Sequence, residues 1–274
     1  MLEGRVAQRR QHEMARFVAA MEGSPWGDAP PARVVVAPLH DALRRWLEPE
    51  QWAEFKQRER LRGVYGAGAG GMAFVARDGV RTIAIEERYE RREQEFLFLF
   101  GHEALESALA ARHASKGTPD SGEQRIARAL WGEYVVERIR RTIAKRLEWP
   151  ASAFDRSYLR AFGAELAREL ADPPEHPPLG RRLPEALYRH SQLLALEFAK
   201  AVARADAGTT AEQLELGRFG ETPFGRQTRD GWRSLAAALR DAFRHPERSV
   251  AELDALVRQG GWSPLLESLG APRA

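Results

Sequence analysis

The chain contains no cysteine in its 274 residues. That excludes disulfides, thiolate metal sites and a cysteine nucleophile. No stretch approaches the roughly eighteen apolar residues of a membrane-spanning helix. The opening Met1-Leu2-Glu3-Gly4-Arg5 has no apolar secretory segment, so a cytoplasmic protein is expected. Charge of one sign is also scarce. The formal net charge is only +3, although the sequence pI is near 9.4, because acids are interleaved with the abundant arginines. No basic block with interleaved aromatics occurs, so nothing points to nucleic acid as a partner. There is no GxSxG nucleophile elbow and no internal repeat. Gly63 to Gly71 is glycine-rich, but no GKS or GKT follows it and the next element reads as a strand. A phosphate loop is therefore not expected there; a hinge, or a mobile loop beside a cleft, is the simpler reading.

What is present centres on Phe96-Leu97-Phe98-Leu99-Phe100-Gly101-His102-Glu103-Ala104-Leu105-Glu106. As a helix this run is apolar on nearly every side, which makes it a core helix. Ionisable groups are costly to bury alone, so His102 and Glu106 need a reason to be there, and a bound metal supplies one. The two are four residues apart and share a helical face. Glu103 stands about 100° further round, beside such a metal, where a general base for a metal-bound water would act. The motif is HExxE, one residue away from the HExxH of zinc peptidases.

A second amphipathic helix follows, with Leu130, Val135, Val136 and Ile139 as its apolar positions. Glu133 and Glu137 lie on it, again four apart. Glu133 is the candidate third ligand. Glu137 is the candidate acceptor for the second ring N–H of His102, a partner that metal-bound histidines usually have. His113 is a poorer ligand, because eleven residues of unbroken helix place it about 16 Å from His102. It reads instead as a helix-end residue.

These residues carry a family resemblance. Ile83 to Ile139, roughly a fifth to a quarter of the chain, resembles the gluzincin-like metallopeptidases of the ImmA/IrrE type. The resemblance implies a β-hairpin, a helix bearing the motif, and a glutamate ligand on the next helix. It matches His102 to the first ligand, Glu103 to the base, Glu106 to the second histidine and Glu133 to the third ligand. It also implies that one strand of the sheet borders the substrate cleft, where an extended peptide can pair through its main chain. Glu106 itself has two readings. As a ligand it makes a harder, more anionic site, with Zn²⁺ the expected metal and Mn²⁺ or Fe²⁺ as alternatives. In a decayed site the fold remains while metal and catalysis are lost.

The remaining pattern is mostly helical. Residues 3–22 read as a helix, Arg33 to Ala37 as a strand, and Leu39 to Leu61 as two helices broken at Glu48-Pro49. Met72 to Arg77 and Val80 to Ile85 read as a hairpin, for which Asp78-Gly79 favours a type I′ turn. Ser121 with Gln124 resembles a capping box. Past Pro150 come helices near 154–170, 183–205, 211–217, 229–244, 249–259 and 263–269. Here His176, His190 and His245 are isolated.

The expected fold class is thus α+β, a zincin-like core with a small β-sheet and an active-site helix, embedded in a mostly helical chain. Residues 1–62 form part of that core, 63–150 supply the hairpin and metal-site helices, and 151–274 form a helical C-terminal region. The expected function is metal-dependent hydrolysis of a peptide or protein substrate. The alternative is a catalytically silent zincin-like module, with the C-terminal helices as a surface for a protein partner.

Overall fold

The computed structural model describes residues 2–3, 8–26, 33–53, 55–56, 70–113, 122–150, 152, 159–171 and 185–270. The chain is α+β and mostly helical, with one small mixed sheet. It divides into two compact units. The first comprises 1–115 with 142–156, and the second comprises 116–141 with 157–274. No helix among the described residues is long and apolar enough to cross a membrane.

The first unit is built around four strands in the order β1-β2-β4-β3: β1 (Leu2–Glu3), β2 (Arg33–Ala37), β3 (Gly71–Val75) and β4 (Arg81–Glu86). β1 and β2 run parallel, as do β2 and β4, while β3 is antiparallel to β4. Val34, Val35, Ile83, Ala84 and Ile85 are all buried, so both faces of the central strands are covered. That agrees with the unbroken apolar runs of β2 and β4, since parallel strands covered on both faces lose the polar alternation. Val35 and Ala84 pack with Met72 and Phe74 against α2 (Leu39–Trp46), where Leu39, Ala42 and Leu43 supply the apolar face. The Glu86 carboxylate accepts from the Leu39 N–H at 3.1 Å. It thereby satisfies one of the donors a helix leaves free at its first turn.

The other face of the sheet meets α3 (Glu93–His113), which contacts β3 and β4. Phe96, Leu97, Leu99, Phe100, Ala104, Leu105, Ala108 and Leu109 are buried, as expected for a helix apolar nearly all round. α1 (Gln8–Glu22) places Met14, Phe17 and Met21 on one buried stripe. Phe17 stacks on Trp149 at 5.0 Å and meets Phe100 edge-on at 6.0 Å. The Trp149 indole donates to Glu13 at 2.8 Å.

Two local expectations need correction. Glu3, expected as the first residue of a helix, is a strand residue, because its main chain pairs with Val35 beside Leu2 with Val34; sheet hydrogen bonds outweigh local helix propensity there. The hairpin turn is not type I′, because that turn needs φ > 0 at both central residues and only Gly79 has it, at 77°. The Gly79 N–H donates to the Ala76 carbonyl and the Ala76 N–H to the Val80 carbonyl, giving a three-residue loop closed by a left-handed glycine. Asp78 decides this, accepting from the Val80 N–H at 3.1 Å and pairing with Arg33. The break at Pro49 stands as expected, with α2 ending at Trp46 and helix resuming at residue 49. Ser121 lies outside the described residues, as do residues 57–69.

The second unit is helical. It contains residues 122–141 of α4 (Gly122–Arg146), then α5 (Leu159–Ala171), α6 (Glu185–Asp206), α7 (Thr210–Glu221), α8 (Pro223–Gln227), α9 (Arg229–Arg244), α10 (Val250–Val257) and α11 (Ser263–Ser268). A π-helical turn, Arg258–Trp262, joins the last two. Its aromatic core is Phe198, Phe219, Phe224 and Trp232, with the Phe198 and Trp232 rings 4.8 Å apart.

At the end of α4, Glu148 adopts a left-handed backbone, with φ 59°. The Trp149 N–H reaches back to the Ala144 carbonyl at 2.8 Å, closing the helix as a Schellman motif does, usually with glycine at this place. Relief of left-handed strain, about 1–2 kcal/mol, exceeds the extra unfolded-chain freedom of glycine, about 0.4–1 kcal/mol. Glu148→Gly is therefore expected to stabilise the protein by about 0.5–1 kcal/mol, read as a shifted midpoint of denaturant unfolding with unchanged slope.

Candidate metal centre

α3 brings His102, Glu103 and Glu106 together. One donor atom from each lies within 4.8 Å of the others, the only such metal-capable group among the described residues. The His102 Nε2 and Glu106 Oε1 atoms are 3.4 Å apart. Two donors each about 2.1 Å from a tetrahedral cation would be separated by roughly 3.4 Å, so the imidazole and the carboxylate already have the spacing of a shared ligand pair. The chemistry of the set also fits a divalent cation: one imidazole nitrogen and two carboxylates.

Burial grades across the group. Glu103 is only 6% exposed, whereas the side chains of His102 and Glu106 are 15% and 42% exposed. The site is therefore closed on the Glu103 side and open to solvent on the Glu106 side. The Phe98 ring lies one turn before His102 and nearly parallel to it, with centroids 6.1 Å apart. It limits how the imidazole can turn.

Gly71 closes the site from β3. A Cβ placed there would lie 3.1 Å from Glu103 Cγ and 3.2 Å from its Oε1, so the glutamate side chain occupies the space a larger residue would take. The glycine-rich stretch reads from sequence as a hinge or mobile loop. Its last two members in fact lie against the motif helix, and residues 63–69 are outside the described part. Two consecutive glycines directly before a strand were the available signal.

Glu133 and Glu137 lie on α4 in the second unit, among other charged side chains of that unit. Glu137 is 1% and Arg140 2% exposed, and they pair at 2.9 Å. Lys200 of α6 pairs with Glu197 at 3.1 Å. Burial alone would lower the pKa of the Lys200 ammonium, but the carboxylates of Glu133, Glu197 and Glu137 outweigh it and hold it above its ordinary value. Glu133 thus sits in the field of a fixed cation that nothing in its local sequence announces.

Tyr134, on the same helix, is fully buried and donates its hydroxyl to Asp206 at 2.7 Å. Burial and that bond raise the phenol above its usual pKa. For Asp206, burial pushes upward, yet hydrogen bonds from Arg240 and Tyr134 prevail and hold the carboxyl below the ordinary range. The Tyr134 proton is committed to this pair. His113 is the last described residue of α3, while His176 lies outside the described residues.

The Glu137–Arg140 pair yields a stability prediction. Removing one partner of a buried ion pair costs about 3–5 kcal/mol, while replacing both with apolar residues is often near neutral. Arg140→Met is expected to lose that amount in urea unfolding, and Glu137→Leu combined with Arg140→Met to recover most of it. Equal losses in the single and double variants would contradict the pairing.

Comparison of the chain with family models, curated proteins and solved structures gives no match in any of the three.

Proposed function

We propose that this chain is a metal-dependent hydrolase of the zincin type that cleaves peptide bonds in the cytoplasm. His102 and Glu106 are its ligand pair and Glu103 its general base. The observation that carries the reading is the convergence of one imidazole and two carboxylates on consecutive turns of a core helix. Burial of the Glu103 carboxylate among apolar neighbours is costly, and a divalent cation shared with the more exposed His102 and Glu106 would offset that cost. Bound there, Zn²⁺, or alternatively Mn²⁺ or Fe²⁺, would supply Lewis-acid activation of a water and of the scissile carbonyl. Glu103 would take a proton from the water and deliver it to the leaving amine. From the sequence, Glu133 is the expected third ligand.

The sheet edge supports a peptide as substrate. Among the described residues β3 pairs only with β4. The Glu86 N–H donates to the Gly70 carbonyl and the Ala76 N–H to the Val80 carbonyl. By the alternation of an antiparallel ladder, Gly71, Ala73 and Val75 turn their main-chain groups away from β4. An extended peptide pairing with those groups would lie along the strand that touches Glu103.

Elemental mass spectrometry of the purified protein tests the metal, with wild type beside Glu106→Ala and Glu133→Ala. About one metal per chain is expected in wild type, with a marked fall in Glu106→Ala. Folded protein that takes up neither Zn²⁺ nor Mn²⁺ would favour a silent binding module. Cleavage of β-casein then tests the base. Glu103→Gln should keep its metal and lose turnover by about 10²–10⁴-fold; full activity in that variant would contradict the assignment.

A further inference from the structure

Gly70 and Gly71 meet α3 on successive turns. A Cβ on Gly70 would lie 3.0 Å from both Leu99 methyl groups and 3.1 Å from the Tyr89 ring; a Cβ on Gly71 would lie 3.1 Å from Glu103 Cγ, 3.2 Å from Glu103 Oε1 and 3.3 Å from the Ala84 carbonyl oxygen. Leu99 and Glu103 are four residues apart, so they stand one above the other on one helical face. The start of β3 therefore rests on two consecutive turns of the motif helix through two residues that lack side chains.

Conformation does not explain these glycines. The described glycines with positive φ are Gly79, Gly208 and Gly270, and Gly71 is a paired strand residue whose backbone does not call for glycine. Contact explains them. Ala73 and Val75 share the strand face of Gly71 and do carry side chains, while Gly71 is the residue of that face set against Glu103. Glu103 is buried and can give little. A methyl group at position 71 meets the glutamate on one side and the Ala84 carbonyl, which is main chain, on the other. The side chain is the element that must move.

We propose that Gly71 is a positioning residue: its missing side chain seats the Glu103 carboxylate beside His102 and Glu106, and a side chain at position 71 displaces that carboxylate from the group. The metal part of this proposal rests on the function proposed above; the steric part does not. Glu103 is the group whose position matters for a base, so β3 acts twice, once as the sheet edge and once as the wall that holds the carboxylate.

A double-mutant cycle tests it, because coupled residues show non-additive effects and uncoupled ones do not. Gly71→Ala, Glu103→Ala and the double variant are compared with wild type by thermal melting. Zn²⁺ affinity of metal-stripped protein is measured by calorimetry, and the visible spectrum of the Co²⁺-loaded protein is recorded. In the wild-type background Gly71→Ala is expected to lower the melting temperature, to leave Zn²⁺ bound, and to change the Co²⁺ bands. In the Glu103→Ala background the same substitution is expected to shift the melting temperature little and to leave the Co²⁺ bands unchanged. Equal losses in both backgrounds would overturn the proposal, because strand damage alone is indifferent to residue 103. Wild-type protein that binds neither Zn²⁺ nor Co²⁺ would refute the metal reading and with it the metal part of this proposal; the melting cycle would still decide whether Gly71 seats Glu103.

Discussion

A carboxylate leaves water only at a cost that a cation, a donor or a proton must offset. The first unit is arranged around that constraint at Glu103. Every neighbouring turn of α3 is committed to apolar packing: Leu99 and Phe100 before it, Ala104 and Leu105 after it. The helix can neither rotate nor slide without exposing those residues. Glu103 is therefore carried into the interior by its neighbours, and His102 and Glu106 stand beside it towards solvent because the helical period gives them adjoining faces. β3 accommodates the result with a residue that has no side chain, which is how the strand can approach the helix so closely where the carboxylate lies.

The second unit handles the same constraint differently. Its helices bury Glu137 against Arg140, Arg204 against Glu212, and Asp254 against Arg128 and the Trp131 indole. Each acid there has a fixed cationic partner from the chain. Glu133 belongs to that environment through the field of Lys200. The chemistry open to the two groups therefore differs. His102, Glu103 and Glu106 form a cluster rich in donor atoms. The cluster around Glu137 carries its own positive charge.

Much of the candidate site was legible because it is local. His102, Glu103 and Glu106 lie within five residues on a strongly apolar run, and the 3.6-residue period alone places them together. The same holds for β2, for the break at Pro49 and for the existence of the hairpin. Where local reading failed, a distant group decided. Arg33 pairs with Asp78, whose carboxylate also takes the Val80 N–H, and the turn became a three-residue loop. Val34 and Val35 drew Leu2 and Glu3 into the sheet. Gly71 read as part of a flexible stretch because the reason for it, the Glu103 side chain, lies on another element.

By itself the amino-acid sequence determined the helical character of the chain, the small sheet, the core position of α3 and the shared face of its histidine and glutamates. Those follow from periodicity and from the cost of exposing apolar surface, which act over a few residues. Only the tertiary structure decided which strand covers Glu103, why residue 71 is glycine, that Lys200 serves Glu133, Glu137 and Glu197, and that residues 116–141 belong with the C-terminal helices. These depend on which elements pack together. A polar group's partner is chosen by proximity in the folded chain, and patterns of hydrophobicity along the sequence specify the face of an element but not the neighbour it meets.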